Sequence, residues 1–212
     1  MIREDIKEFL KTIPENVTLV AATKYIGPED MEVLLENGVN NFGENRTDSF
    51  LAKYIVLQSK GAIWHFIGHL QRNKAAEVIN KIDYLHSLDS LKLAELIENK
   101  REKPLKCFVE VSINLEETKN GVPYYDAKGF IKELLKFKKI DLVGLMMIAV
   151  KESNENSLDQ QFAKLRILRD EIEKEFNIKL PYLSMGMSDD SKEAIKEGAT
   201  HIRLGRILFM QS

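Results

Sequence analysis

The chain has 212 residues, of which 44% are hydrophobic and 30% are charged, a composition typical of a folded globular protein. Lys and Arg total 31 and Asp and Glu total 33, so the formal net charge of −2 argues against a dedicated nucleic-acid-binding protein. No stretch reaches the roughly 18 consecutive apolar residues of a membrane span, and the first ten residues lack the apolar core of a secretory signal. The single cysteine, Cys107, excludes an intramolecular disulfide and a cysteine metal cluster. We therefore expect a cytoplasmic protein.

Short apolar runs alternate with segments of helical periodicity along the chain. Eight of these runs are predicted as strands: Val17–Thr23, Asn41–Phe42, Ile63–Ile67, Ile82–Ser87, Lys106–Ile113, Leu142–Ala149, Tyr182–Ser184 and Ile202–Leu204. Seven helices are expected between them, and periodicity with start and stop signals delimits six: Pro28–Glu36, Asn73–Asn80, Ser90–Lys100, Asp126–Lys136, Asn156–Phe176 and Ser188–Glu197. A further helix, Glu4–Lys11, precedes the first strand.

The alternation of strands and helices predicts the fold class. Strands that alternate with helices pair in parallel through right-handed crossovers. Eight such units predict an α/β fold with a closed (β/α)8 TIM barrel and an extra N-terminal helix, for which a length of roughly 200–400 residues is usual. We expect residues 1–212 to form this barrel as one domain. An open doubly wound sheet is the alternative, because the second and seventh strand runs contain few apolar residues.

Lys24 is the first candidate site residue. Chemistry in such barrels concentrates at the C-terminal ends of the strands, and Lys24 directly follows the first strand run. A lysine partly desolvated at a barrel mouth is a nucleophile toward carbonyl groups. From its position alone, however, a solvated lysine at a strand end is the simpler interpretation.

The ends of the seventh and eighth strands form a second candidate, an anion site. Barrel enzymes often bind phosphate with the loops after these two strands, next to a helix N-terminus. Ser184 offers a hydroxyl, Gly186 and Gly205 allow close approach of backbone N–H groups, and a helix is predicted to begin at Ser188. Ordinary turn glycines with an N-terminal serine explain the same pattern. Asp189 and Asp190 are expected to stabilise the start of their own helix.

Several of these segments together resemble the YggS/PROSC-type pyridoxal phosphate homeostasis proteins. The matching segments are Ala22–Lys24, Phe42–Asn45, Trp64–Lys74, Leu183–Asp190 and Ile202–Gly205. They occur in the family's order, and the resemblance covers about residues 17–210. It implies a barrel similar to the N-terminal domain of alanine racemase, without the second domain of that enzyme.

The resemblance also implies a site for pyridoxal 5′-phosphate, with no metal and no catalytic residues. Lys24 would bind the cofactor as a Schiff base, and Arg203 would face the pyridine nitrogen. The remaining implied contacts are Ser184, Gly205 and Arg206 with the phosphate, and Asn45 at the border of the cofactor. Arg206 departs from the family pattern, because a small hydroxyl residue usually follows the eighth-strand glycine.

The implied function is a carrier that buffers or delivers pyridoxal phosphate, with PLP-dependent apo-enzymes as possible recipients and no nucleic acid or membrane partner. A permanently charged Arg203 would oppose protonation of the ring nitrogen and weaken the cofactor as an electron sink. A PLP-dependent amino-acid racemase is the alternative, and a Schiff-base aldolase without cofactor is a third. Racemisation needs a second base, and Tyr25 is a poor one if neighbouring strand residues point to opposite faces. We expect a monomer.

Overall fold

The computed structural model describes residues 1–113, 120–150 and 155–209. The strands are Thr18–Ala22 (β1), Asn41–Glu44 (β2), Ile63–Phe66 (β3), Tyr84–Leu88 (β4), Leu105–Ser112 (β5), Val122–Pro123 (β6), Ile140–Met146 (β7), Tyr182–Ser184 (β8) and His201–Leu204 (β9). The α-helices are Ile6–Leu10 (α1), Pro28–Glu36 (α2), Thr47–Leu57 (α3), Arg72–Val78 (α4), Leu91–Lys100 (α5), Ala127–Leu134 (α6), Glu155–Phe176 (α7) and Ser191–Lys196 (α8).

Parallel pairing closes the sheet into a barrel. The strands follow the order β4-β3-β2-β1-β9-β8-β7-β5, and β4 pairs with β5 to complete the ring. The short strand β6 lies outside the ring and pairs with the end of β5. The predicted TIM barrel with an extra N-terminal helix is therefore confirmed, and the open doubly wound sheet is excluded because the two edge strands of such a sheet would not pair.

The differences from the predicted elements are local. Helix α3 is the one whose bounds the sequence did not delimit, and strand β6 was not predicted. Helix α8 begins at Ser191 and not at Ser188, because residues 188–190 form a turn first. At the other end of the chain, Ile2 pairs with Phe209, which ties the segment before α1 to the segment after β9.

The register of the strands determines which side chains enter the barrel. Val20 pairs with Arg203 across β1 and β9, and Ser184 pairs with His201 across β8 and β9, so these side chains share the inner face. The alternate residues, such as Phe42, face the helices. Within the described ranges, no helix is both long and apolar enough to cross a membrane.

Candidate functional site

The amine of Lys24 lies beside the ring of Tyr25 at the barrel mouth. Strand β1 ends at Ala22, so both residues belong to the turn that follows it. The Nζ atom of Lys24 lies 4.8 Å from the centroid of the Tyr25 ring, and both side chains are exposed. The expectation that these neighbours point to opposite faces is wrong, because strand alternation stops where the strand stops.

Asn45 offers a hydrogen-bond acceptor that no residue in the described part of the chain uses. It directly follows β2, and its side-chain oxygen Oδ1 is buried without a hydrogen-bond partner. The backbone of Asn45 packs against Gly68, where a Cβ atom would lie 2.4 Å from the Asn45 carbonyl oxygen. Buried polar atoms without a partner are rare in folded proteins. The free Oδ1 is therefore suited to accept a hydrogen bond from a ligand.

Ser184 and Arg203 form a buried pair just below the mouth. The Nη1 atom of Arg203 donates to Ser184 Oγ at 2.7 Å, and its Nη2 atom donates to the Met147 carbonyl oxygen at 2.9 Å. Burial lowers the pKa of Arg203 to about 10, while the carboxyl groups of Glu110 and Asp190 act to raise it. The guanidinium is therefore positively charged at neutral pH and is held in a fixed orientation.

Ser184 also connects Arg203 to two buried histidines. Ser184 Oγ lies 2.7 Å from His86 Nδ1, and His86 Nε2 lies 2.8 Å from His65 Nδ1. This series of hydrogen bonds ends at Asn41, whose Oδ1 lies 2.9 Å from His65 Nε2. Asn41 Oδ1 can only accept, so with both histidines neutral each group donates to the next, from Ser184 through His86 and His65 to Asn41. The arrangement requires two neutral histidines, and burial lowers the pKa of both well below its usual value.

The series of hydrogen bonds from Arg203 to Asn41 changes the interpretation of Ser184, which was predicted to contact the phosphate. A serine hydroxyl has one proton, and here that proton is donated to His86. The Ser184 side chain is also fully buried. The geometry thus does not support a hydrogen bond from Ser184 to a phosphate, and it makes Ser184 the group that holds Arg203.

The loops after β8 and β9 meet at Ser188 and Gly205. The backbone N–H of Gly205 donates to Ser188 Oγ at 3.3 Å. Gly186 adopts a φ of 93°, and its carbonyl oxygen accepts from the backbone N–H of Arg203 at 2.9 Å. A Cβ atom at Gly186 would lie 2.7 Å from the Cβ of Ala194, so glycine also allows this loop to pack on α8. The meeting point brings together the Ser188 hydroxyl and the Gly205 N–H, which are donors of the kind that bind an anion, and in this structure the N–H donates to the hydroxyl oxygen.

The acidic residues that precede α8 interact with a backbone N–H and with an arginine. Asp190 Oδ1 accepts from the backbone N–H of Met187 at 2.5 Å. Asp189 lies 2.7 Å from Arg206 Nη2 in an ion pair whose side chains are 80% and 74% exposed. Asp190 directly precedes α8 and makes no side-chain hydrogen bond to the helix start in the described part of the chain, so the expected stabilisation of this helix by Asp189 and Asp190 stays a prediction. The predicted phosphate contact of Arg206 stays a prediction, and in this conformation its guanidinium is paired with a carboxylate in solvent.

A carboxyl group with an unusual pKa lies on β5, the strand of the ring that is farthest from β1. Glu110 is buried on the inner face of β5. Burial raises its pKa to about 7, the nearby carboxylate of Asp89 adds to the increase, and Arg203 opposes it. Asp89 in turn lies 3.4 Å from His69 Nδ1. Groups that titrate near neutral pH are suited to proton transfer.

The sequence-based site missed Ser188 as a ligand group, Glu110 and His86. The signal for Glu110 was present, since a charged residue stands between Val109 and Val111 in an apolar strand. Ser188 was considered only as the start of a helix. His86 gave no such signal, because its partners Ser184 and His65 come from strands distant in sequence.

Comparisons with known proteins identify the family. The chain matches the family described as alanine racemase, N-terminal domain, over residues 1–212. A protein of Aquifex aeolicus, named pyridoxal phosphate homeostasis protein, is 40% identical over 194 residues, covering 90% of this chain and 85% of its own. A Synechocystis protein of the same name is 35% identical over 206 residues, covering 95% of this chain and 94% of its own. This chain belongs to the pyridoxal phosphate homeostasis protein family. The resemblance noted in the sequence is thereby confirmed.

Solved structures support the same family and the fold. The structure of PipY from Synechococcus elongatus PCC7942, with PLP bound, is similar with a TM-score of 0.90 and 30% identity, covering 97% of this chain and 100% of PipY. An alanine racemase of Clostridium difficile 630 has a TM-score of 0.80 at 16% identity, and the match covers 58% of that chain. The second similarity shows the barrel fold alone.

Proposed function

We propose that this chain binds pyridoxal 5′-phosphate through Lys24 and buffers or delivers it, as a non-catalytic part of PLP homeostasis. The observation that carries the proposal is the buried Arg203, charged and fixed by Ser184 and the Met147 carbonyl at the base of the mouth. The homeostasis relatives and the PLP-bound structure of PipY support the ligand. We further propose that the protein acts as a cytoplasmic monomer and that PLP-dependent apo-enzymes receive the cofactor.

The residues at the mouth fit this cofactor. When bound, pyridoxal phosphate supplies an aldehyde that bonds amines and a ring that withdraws electrons once its nitrogen is protonated. Lys24 would supply the amine that binds the aldehyde. The Ser188 hydroxyl would donate to the phosphate where the two loops meet, and the N–H of Gly205 would exchange its hydrogen bond to Ser188 Oγ for one to the phosphate. The free Oδ1 of Asn45 would accept a hydrogen bond from the cofactor.

Arg203 supports the carrier role over catalysis. Strong carbanion chemistry needs an acidic partner that keeps the ring nitrogen protonated. Arg203 has only donors and remains positive, so beside that nitrogen it would oppose protonation. Its buried position and its two hydrogen bonds prevent it from moving away. A cofactor held this way is bound without being strongly activated.

The test is borohydride reduction followed by mass mapping. Purified protein loaded with pyridoxal phosphate should be coloured, and reduction should leave the pyridoxyl group on the peptide that contains Lys24. Lys24→Ala should lose the label, whereas Lys60→Ala, which removes an exposed lysine, should keep it. A label on another lysine in the unchanged protein would contradict the assignment of Lys24.

A second candidate function is a PLP-dependent amino-acid racemase, which Glu110 favours. Its pKa of about 7 suits a general acid or base at the mouth. Incubation with each common L-amino acid in deuterated water separates the two functions. We expect no α-proton exchange at the roughly 1–1000 per second of typical enzymes. Exchange at such rates that is lost in Glu110→Gln would establish the racemase instead.

A further inference from the structure

A buried ion pair lies on the outer side of the barrel, directly behind the turn that carries Lys24. Lys53 Nζ lies 2.6 Å from Glu44 Oε1, and the two side chains are 9% and 0% exposed. Lys53 occupies the buried face of α3 between Phe50 and Leu57, where an apolar residue would be usual. The ion pair is therefore placed in a layer that otherwise packs apolar side chains against the sheet.

The pair connects three segments at the mouth. Lys53 Nζ also donates to the Thr23 carbonyl oxygen at 2.7 Å. The Thr23 hydroxyl donates to Glu44 Oε1 at 2.5 Å, and Ser49 Oγ donates to Glu44 Oε2 at 2.9 Å. Thr23 directly precedes Lys24, and Glu44 directly precedes Asn45. The network thus fixes the backbone one residue before each of the two site residues.

The Thr23 carbonyl shows how the turn itself is held. It accepts from Lys53 Nζ and also from the backbone N–H of Ile26 at 3.1 Å, which closes the turn over Lys24 and Tyr25. The backbone N–H of Thr23 donates to the Gly43 carbonyl oxygen at 3.0 Å. The N–H and the carbonyl group of Thr23 therefore both have hydrogen-bond partners. These bonds hold the backbone that carries the Lys24 side chain in one orientation.

Stability alone is a poor explanation for such a pair. The cost of removing two charges from water is about as large as their attraction in the interior, so a buried ion pair often contributes little net stability. Hydrogen-bonded polar networks instead specify one geometry, because each group needs its own partner. A network with five contacts around one carboxylate, one ammonium and one carbonyl is suited to fixing position.

We infer that Lys53 and Glu44 are positioning residues that aim Lys24 at the cofactor aldehyde. The inference rests on the proposed function, in which Lys24 bonds the cofactor. Misplacement of a reacting amine by about 1 Å can cost on the order of 100-fold. The phosphate would instead be held by the loops after β8 and β9, which are not among the segments that the five network contacts join. Loss of the network should therefore weaken bonding at Lys24 and spare phosphate recognition.

Two ligands separate these effects. Pyridoxal 5′-phosphate can bond Lys24, whereas pyridoxine 5′-phosphate carries an alcohol in place of the aldehyde and cannot. The binding constant of the first is measured by its absorbance change, and that of the second by calorimetry. A role confined to folding would move both constants together, and a positioning role would move only the first.

Two kinds of variant are compared. Thr23→Val removes the hydroxyl that joins Glu44 to the turn while keeping the branched shape, and Thr23→Ser restores the hydroxyl. Lys53→Met removes the ammonium at similar length. It leaves Glu44 buried and unpaired, which costs about 3–5 kcal/mol, so the Thr23 pair decides the test if Lys53→Met does not fold. Lys60→Met, which removes the exposed ion pair with Glu32, is the matched control.

We expect Thr23→Val and Lys53→Met to weaken pyridoxal phosphate binding by about 10- to 100-fold. Pyridoxine phosphate binding should change by no more than about twofold, as for an uncoupled surface substitution, and Thr23→Ser should behave like the unchanged protein. Equal weakening of both ligands, or no change in either, would overturn the inference. If borohydride places the label on a lysine other than Lys24 in the unchanged protein, the proposed function fails, which is a separate outcome.

Discussion

The two faces of the barrel sheet have different chemistry, although the same strands form both. On the outer face, Trp64 packs against Phe50 and Phe42 with ring centroids 5.3 and 5.9 Å apart. These side chains fill the space between the sheet and the helices. Area removed from water is the main source of stability there.

The inner face holds polar and aromatic groups. The His65 ring stacks on Tyr84 at 4.5 Å, and the His86 ring stacks on Phe108 at 4.3 Å. The hydrogen-bonded chain from Arg203 runs through this layer. The comparison indicates that the apolar side chains of the outer face stabilise the barrel. The polar groups of the inner face, like the Lys53–Glu44 network on the outer side, orient the groups at the mouth.

Substitution of an apolar side chain on the outer face should mainly change stability, with the largest effect of those considered. Trp64 is almost fully buried, so Trp64→Ala should lower the free energy of unfolding by about 3–5 kcal/mol. Trp64→Phe should cost less, because the indole N–H has no hydrogen-bond partner to lose. Denaturant unfolding measures both variants. If folded Trp64→Ala lost its affinity for pyridoxal phosphate, the division between the two faces would not hold.

At the mouth, Ser188 and Ser184 should differ in their effect on phosphate recognition. Ser188→Ala removes a hydrogen bond to a charged group, worth about 1.5–3 kcal/mol, so pyridoxal phosphate should bind about 10- to 150-fold more weakly. Unphosphorylated pyridoxal should be nearly unaffected. Ser184→Ala should instead weaken both ligands by the same factor, because it releases Arg203. Selective loss of the phosphorylated ligand in Ser184→Ala would restore the sequence-based assignment.

The fold could be predicted because its signals are local. Periodicity and turn residues predicted the barrel strands within a few residues, as in Tyr182–Ser184, which the structure reproduces. Helix α3 was not delimited, since Lys53 interrupts its apolar face. Two residues of this helix, Ser49 and Lys53, contact Glu44 in the network, so its sequence does not follow the pattern of a helix selected for apolar packing alone.

The site could be predicted only in part, because its geometry depends on contacts between distant strands. The resemblance indicated Lys24, Asn45 and Arg203, and the structure places all three at or just below the mouth. It could not indicate that the proton of Ser184 is donated to His86, 98 positions away along the chain. Partners of this kind are set by barrel closure, which no local pattern contains.

The inner face should also make stability depend on acid pH. Burial and the charge of Arg203 lower the pKa of His201 to about 4, and His65 and His86 are shifted in the same direction. Unfolding lets these groups take up protons below about pH 6.5, so stability is present above that pH and is lost as pH falls toward 4. His201 alone contributes about 2 kcal/mol to this loss between pH 7 and 4.5.

His201→Leu isolates that contribution. Its thermal midpoint should fall less between pH 7 and pH 4.5 than that of the unchanged protein, by an amount equivalent to about 2 kcal/mol. The His201 side chain is buried beside the hydrogen-bonded chain. Among the described residues, its hydrogen-bonding partner is the hydroxyl of Thr200. The chain that holds Arg203 should therefore remain intact. An unchanged fall would mean that His201 is not neutral in the folded state.

Glu110 should give the smallest effect, with the opposite dependence on pH. Its pKa is about 7 in the folded protein because of burial and Asp89, above the ordinary value of a glutamate. The folded state thus keeps a proton that the unfolded chain releases, so the contribution of Glu110 to stability is present below about pH 4.5 and is lost as pH rises through 7.

Glu110→Gln keeps the shape of the side chain and cannot ionise. Relative to the unchanged protein, it should gain about 1–2 kcal/mol between pH 5 and pH 6.5. Glu32→Gln, at a half-exposed position, is the control and should show no such gain. If Glu110→Gln also shows none, the carboxyl group is already ionised at pH 5, and the observation that favours a racemase would disappear with it.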